Sequence, residues 1–194
     1  MSKILYWPGM GQNLEILKKF RERLAEKGNN VCVIDFKYDN NILNPNEWNI
    51  IKKNDFDWWI GLSLGASLLY YSYEFVPNKL RPKRITIINP FSSREILARE
   101  RKFSLEKQWR FSPINSTLKV NTVDLVSSIQ DEKIPPHHGF ELLNHAIAKE
   151  KNLILINENH TIDNNDAQDE LAKLLMNKES RSEQYYYCNI FKQC

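Results

Sequence analysis

The chain has 194 residues with a formal net charge of +3, and 42% of its residues are hydrophobic. That is enough apolar material for one domain whose core needs no disulfide or metal staple, and a charge too mild to imply nucleic acid. No apolar run reaches the roughly 20 residues of a membrane helix, and Met1-Ser2-Lys3 runs straight into an apolar strand with no signal peptide in sight. The expectation is therefore a cytoplasmic protein without a membrane span.

In chain order, residues 4–7 form a short apolar strand that ends at Pro8-Gly9. Residues 14–24 repeat Leu14, Leu17, Phe20 and Leu24 at helical spacing and stop at Gly28. Strand patterns follow at 31–36, 56–60, 85–88, 123–129 and 153–156, with helical patterns at 66–75, 139–149 and 166–176. Short strands separated by helices read as βαβ units. The predicted fold class is α/β, a three-layer sandwich with a mostly parallel sheet of about six strands, in one domain over residues 1–176. The polar tail at 177–194, with Tyr185-Tyr186-Tyr187, has no assigned structure. Cys32, Cys188 and Cys194 fit neither a disulfide framework nor a metal knuckle. Cys32 reads as a core residue, and a bridge between the two tail cysteines is unexpected in a reducing compartment. No cofactor and no metal are expected.

Ligands of open parallel sheets bind beyond the carboxyl ends of the strands. The chain places Gly61-Leu62-Ser63-Leu64-Gly65 after the third strand, Asp131 after the fifth and His160 after the sixth. A serine on so tight a strand-to-helix turn is exposed, and its flanking glycines let strand and helix pass closely. Serine needs a neighbouring base, for which His160 is the candidate, and Asp131 is the group to fix the imidazole tautomer. Asp124 is a rival acid but falls within the strand pattern. Trp58 and Trp59 alternate and are expected to pack on opposite faces of the sheet. His137, His138 and His145 fall at or within the helix after the acid and read as structural.

On these residues the chain resembles a compact α/β-hydrolase over about residues 3–176. The glycine-flanked Ser63 matches the family's nucleophile elbow, Asp131 with Ile134-Pro135 its acid loop, and His160 the histidine before the terminal helix. Pro8-Gly9-Met10 occupies the place of the usual His-Gly-x loop. The resemblance implies that the backbone N–H groups of Met10 and Leu64 form the oxyanion hole. Two departures stand out: Pro8 replaces the common histidine, and residues 157–159 lack the usual glycine. The first two strands of the full family sheet are also missing. The implied activity is hydrolysis of an ester or thioester through an acyl-serine.

The span 91–119 takes the place of the family's lid and is short and basic, with Arg94, Arg99, Arg101, Lys102, Lys107 and Arg110. Small esterases of this family that release pimeloyl groups from acyl carrier protein use such surfaces. An acidic acyl carrier is therefore one expected partner, beside small-molecule esters, although a solvated helical face accounts for the same charges. Phe91, Phe103 and Trp109 are the candidate substrate-binding residues, and Leu97, Leu105 and Phe111 could cover an acyl pocket with them. Two alternatives remain. One is a hydrolase-like fold that only binds. The other is a nucleotide-binding domain, suggested by Gly9-Met10-Gly11 and Asp35, although position 14 of that fingerprint is Leu14.

Overall fold

A computed structural model describes residues 1–10, 14–34, 51, 54–102 and 111–176. Among them run six strands: β1 (Lys3–Trp7), β2 (Asn30–Val33), β3 (Trp58–Leu62), β4 (Arg84–Ile88), β5 (Lys119–Ser128) and β6 (Ile147–Ile156). Five α-helices accompany them: α1 (Lys18–Glu26), α2 (Leu64–Ser72), α3 (Arg94–Arg101), α4 (Pro136–His145) and α5 (Asn165–Met176). The strands form one sheet in the order β2-β1-β3-β4-β5-β6, and every neighbouring pair is parallel. The three-layer α/β fold is the one expected.

Strands buried on both faces read as apolar runs whose alternate residues serve different cores. Leu5, Trp7, Trp59, Ile85, Ile87 and Leu125 pack on one face, with Leu69 of α2 and Leu142 of α4. Ile4, Tyr6, Trp58, Ile60, Ile88 and Val126 pack on the other, with Phe20 of α1 and Leu171 of α5. The two tryptophans thus part to opposite faces as their spacing requires. Cys32 is half-buried against the first core, and burial pushes its thiol pKa up.

Asp124 is fully buried, and its carboxylate is committed to structure. It accepts from Arg84 Nε at 2.7 Å, Thr86 Oγ1 at 2.9 Å and Asn152 Nδ2 at 2.8 Å. Arg84 lies over the Trp58 ring at 4.2 Å and donates to the Leu175 carbonyl at 2.6 Å. This network ties three strands to the end of α5 and removes Asp124 as a rival catalytic acid.

Several boundaries differ from the sequence reading. Helix α4 begins at Pro136, whose fixed φ and missing N–H suit a first helical position. It stops at His145 because Ala146 turns extended, with φ −63° and ψ 141°. Residues 147–149, expected in the helix, instead open β6. There Ile147 pairs with Lys119, so both strands run on beyond the body of the sheet. Exposed polar residues on an edge strand hide its period, which is why only residues 153–156 were legible. Leu17 has a left-handed φ of 55°, so α1 starts after it rather than at residue 14. No described helix is long and apolar enough to cross a membrane.

Candidate active site

The elbow is built by close approach. Ser63 has φ 54° and ψ −123°, a strained conformation for a residue with a Cβ. A Cβ on Gly61 would stand 2.5 Å from Ala66 Cα, and one on Gly65 would stand 2.5 Å from the Trp7 carbonyl and collide with that of Pro8. Both glycines are therefore steric requirements of a helix leaving its strand beside β1. The turn is held by Ser63 N–H donating to the Ile88 carbonyl at 2.8 Å. Leu64 is the first residue of α2, so its N–H has no acceptor within the helix.

After β5, Asp131 sits in a turn closed by its own side chain. Its Oδ1 accepts from the backbone N–H groups of Lys133 and Ile134, each at 2.8 Å, which aims Oδ2 at His160. His160 Nδ1 lies 2.6 Å from Asp131 Oδ2, and His160 Nε2 lies 2.8 Å from Ser63 Oγ. An ionised carboxylate only accepts, so the proton is assigned to Nδ1, leaving Nε2 to accept from the serine hydroxyl. Asp131 and His160 are both buried. The three residues singled out in the sequence are brought into one hydrogen-bonded line.

The missing glycine before His160 is compensated locally. Asn159 Oδ1 accepts from Thr161 N–H at 3.1 Å, and Asn159 Nδ2 donates to Asp163 at 2.7 Å. The left-handed residue of this turn is Ile162, with φ 54°. Gln130 N–H also donates to the Glu158 carbonyl at 3.3 Å, joining the acid and histidine loops.

One supporting residue, just past the strand pattern at 85–88, is not singled out by the sequence. Asn89, buried and with φ 48°, donates to the His160 carbonyl at 2.8 Å and to Ser128 Oγ at 2.9 Å, and accepts from Ser128 N–H at 2.8 Å. It fastens the histidine loop to the end of β5. The only hint in the sequence is an asparagine at the position where a strand must turn.

A cavity of about 230 Å³ opens over Ser63 and His160, lined by Gly9, Met10, Ile16, Leu62, Leu64, Phe91, Leu97, Lys133, Ile134 and Thr161. It is mainly apolar, with one cationic residue at its rim. Met10 and Leu64 border it, as do Phe91 and Leu97. Phe111 does not: it is buried in the core, 5.2 Å from Tyr71 and 5.8 Å from Phe91 between ring centroids. Phe103, Leu105, Lys107, Trp109 and Arg110 lie outside the described residues, as do Gly11, Asp35, Cys188 and Cys194. Arg99, Arg101 and Lys102 are exposed at the end of α3, Arg94 is half-buried at its start, and Arg101 Nε donates to the Lys133 carbonyl at 3.1 Å.

No protein-family model matches the sequence, and no curated protein matches it by sequence. Solved structures do match it. The esterase domain of a Rhodothermus marinus protein superposes with a TM-score of 0.71 at 15% identity, over 90% of this chain and 84% of that one. Est1E from Butyrivibrio proteoclasticus, with ferulic acid bound, gives a TM-score of 0.69 at 17% identity, over 91% and 88%. Mouse alpha/beta hydrolase domain-containing protein 10 gives 0.64 at 15% identity, over 89% and 87%. The chain has the α/β-hydrolase fold. Within it, the strand pair β1 and β3 flanks the elbow, and the loop after β1 lies against it: a Cβ on Gly9 would make ordinary contact with Ser63 Cβ at 3.4 Å.

Proposed function

We propose that the chain is a serine hydrolase that cleaves a carboxylic ester or thioester through an acyl-Ser63 intermediate. The observation that carries this reading is the hydrogen-bonded line from Asp131 through His160 to Ser63, at 2.6 and 2.8 Å. His160 Nε2 takes the hydroxyl proton as Oγ attacks the carbonyl carbon, and the imidazolium so formed is stabilised by the Asp131 carboxylate. The backbone N–H groups of Met10 and Leu64 are the oxyanion donors, each contributing about 3 kcal/mol to the transition state. His160 then hands its proton to the leaving alkoxide or thiolate. Water, deprotonated by the same nitrogen, attacks the acyl-enzyme and regenerates the serine.

The apolar cavity supports an acyl group without charge near the carbonyl as substrate. The solved neighbours of this fold include proteins described as esterases, which is consistent with the same bond class. The basic residues Arg94, Arg99, Arg101 and Lys102 support an acidic acyl carrier as the donor of that group. Two of them flank Leu97 on the helix that covers the cavity.

Intact-mass labelling with a fluorophosphonate tests the chemistry. One adduct is expected on the native chain and none on Ser63→Ala or His160→Ala, while Asp131→Asn should slow labelling by up to about 10⁴-fold. Absence of an adduct on the native chain would move the protein to the binding role. For the carrier, a thioester on an acidic carrier protein should turn over more slowly as salt rises across the range where the screening length falls below about 10 Å. A rate independent of salt would remove the case for docking at those residues.

A further inference from the structure

Outside the catalytic line, the last turn of α3 meets the first turn of α4 through three side chains that can ligate metal. His137 Nε2 lies 3.0 Å from Glu100 Oε1, and His138 Nε2 lies 3.1 Å from Glu100 Oε2. The two imidazoles stack with ring centroids 4.6 Å apart, and one ligand atom from each of the three residues falls within 4.8 Å of the others.

The surroundings of His138 are arranged behind this cluster. Ser92, fully buried, places Oγ 2.8 Å from His138 Nδ1 and donates its hydroxyl proton to Glu141. With that proton spent on a carboxylate, the serine oxygen is left to accept from Nδ1–H. This relay from imidazole to hydroxyl to carboxylate is the type of support that orients a metal-bound histidine. In the other tautomer the Ser92 backbone N–H donates to Nδ1 at 3.3 Å and Nε2–H donates to Glu100 at 3.1 Å, an arrangement that an ion on Nε2 would replace.

With Nδ1 protonated, the Nε2 lone pair points at a carboxylate, which is repulsive unless a cation lies between them. His138 is fully buried, and His137 and His138 both stand in the first turn of α4. Among the described residues, the ion-pair partners of Glu100 are these two histidines.

We propose that Glu100, His137 and His138 bind one divalent transition-metal ion of the Zn²⁺ class, through both Nε2 atoms and one carboxylate oxygen. Bonds of about 2.0–2.1 Å in a tetrahedron separate ligand atoms by roughly 3.3 Å; here each Nε2 lies 3.0 or 3.1 Å from its own Glu100 oxygen, and one ligand atom from each residue lies within 4.8 Å of the others, so the side chains must close slightly to share one ion. Two imidazoles with one carboxylate suit zinc better than magnesium or calcium, which prefer oxygen alone. The Glu100 side chain is 33% exposed and that of His137 54% exposed, so the ion enters from solvent and keeps a water as its fourth ligand. Bound there, it clips α3, which carries Leu97 over the cavity, to the helix that follows the acid loop. The clip lies outside the acyl-transfer steps and does not depend on the hydrolase reading.

The test uses the untagged full chain, stripped with a chelator, desalted and titrated with Zn²⁺ against a chromogenic competitor. Thermal midpoints are measured with and without the ion. The native chain and Ser63→Ala should each take up one equivalent and gain thermal stability from it. His137→Ala and Glu100→Gln change surface side chains and should fold as the metal-free native chain does. Both should lose at least about tenfold in affinity together with the thermal gain, and Ser92→Ala should lose about 10- to 100-fold. No uptake by the native chain, or uptake that His137→Ala and Glu100→Gln both leave unchanged, would overturn the proposal.

Discussion

Ser63 shows how much of a site one residue's backbone can determine. Its φ of 54° is tolerated because the glycine on either side removes the Cβ that would strike Ala66 or the Trp7 carbonyl. That arrangement was legible in the sequence, since a motif that needs two missing Cβ atoms has to print two glycines. Asp131 and His160 were legible for another reason: each is a chemically able residue just past a strand. Asn89 was not, because its role lies in contacts with residues far along the chain, Ser128 and the His160 carbonyl. Asn89→Ala leaves those buried groups unpartnered, at a cost of about 1–3 kcal/mol for each group not rescued by water. The expected result is a fall in kcat of tenfold or more, roughly the lower end of that range, with KM for a small ester little changed. An Asn89→Ala enzyme with native kcat and only a lowered thermal midpoint would make Asn89 a structural residue alone.

Among the elements, α3 combines an apolar and a polar task. Ser93 caps it, accepting from Ile96 N–H at 3.3 Å, while Glu95 accepts from Ser112 Oγ at 2.5 Å. The Ser112 hydroxyl, first among several hydrogen bonds, holds the Glu95 pKa below its usual value. These bonds fasten the start of α3 to the chain leading into β5, so that Leu97 is presented to the cavity from a fixed helix. Leu97→Ala should therefore enlarge the acyl site and shift preference toward longer chains, with discrimination changing by about 1–3 kcal/mol per methylene. A panel of esters of graded chain length reads this directly, and an unchanged ranking would place the acyl group elsewhere. The helical spacing of α1, α2 and α5 was readable because each buries one apolar stripe or is buried all round. Residues 147–152 misled the reading, since an edge strand open to water carries polar residues on both faces.

At the scale of the whole molecule, two cores share one sheet, and the Asp124 network is the polar joint within it. Asp124→Ala strands the Arg84 guanidinium beside a buried face. The expected loss is about 3 kcal/mol, the low end for a broken buried pair because Arg84 keeps some contact with water. At about 2–4 °C per kcal/mol for a chain of this size, the thermal midpoint should fall by roughly 6–12 °C; an unaltered midpoint would mean that Arg84 finds another partner. Among the described residues the sheet ends in two edge strands, β2 and β6, and they differ. On one side β2 is only four residues long. On the other the longer β6 carries Lys149, Glu150 and Lys151, all exposed, from the stretch that runs past the body of the sheet into the part that pairs within it. Both are ways of denying a neighbouring molecule a template for strand addition. The alternating charges that concealed this strand from a reading by apolar period thus act as a guard against self-templated growth.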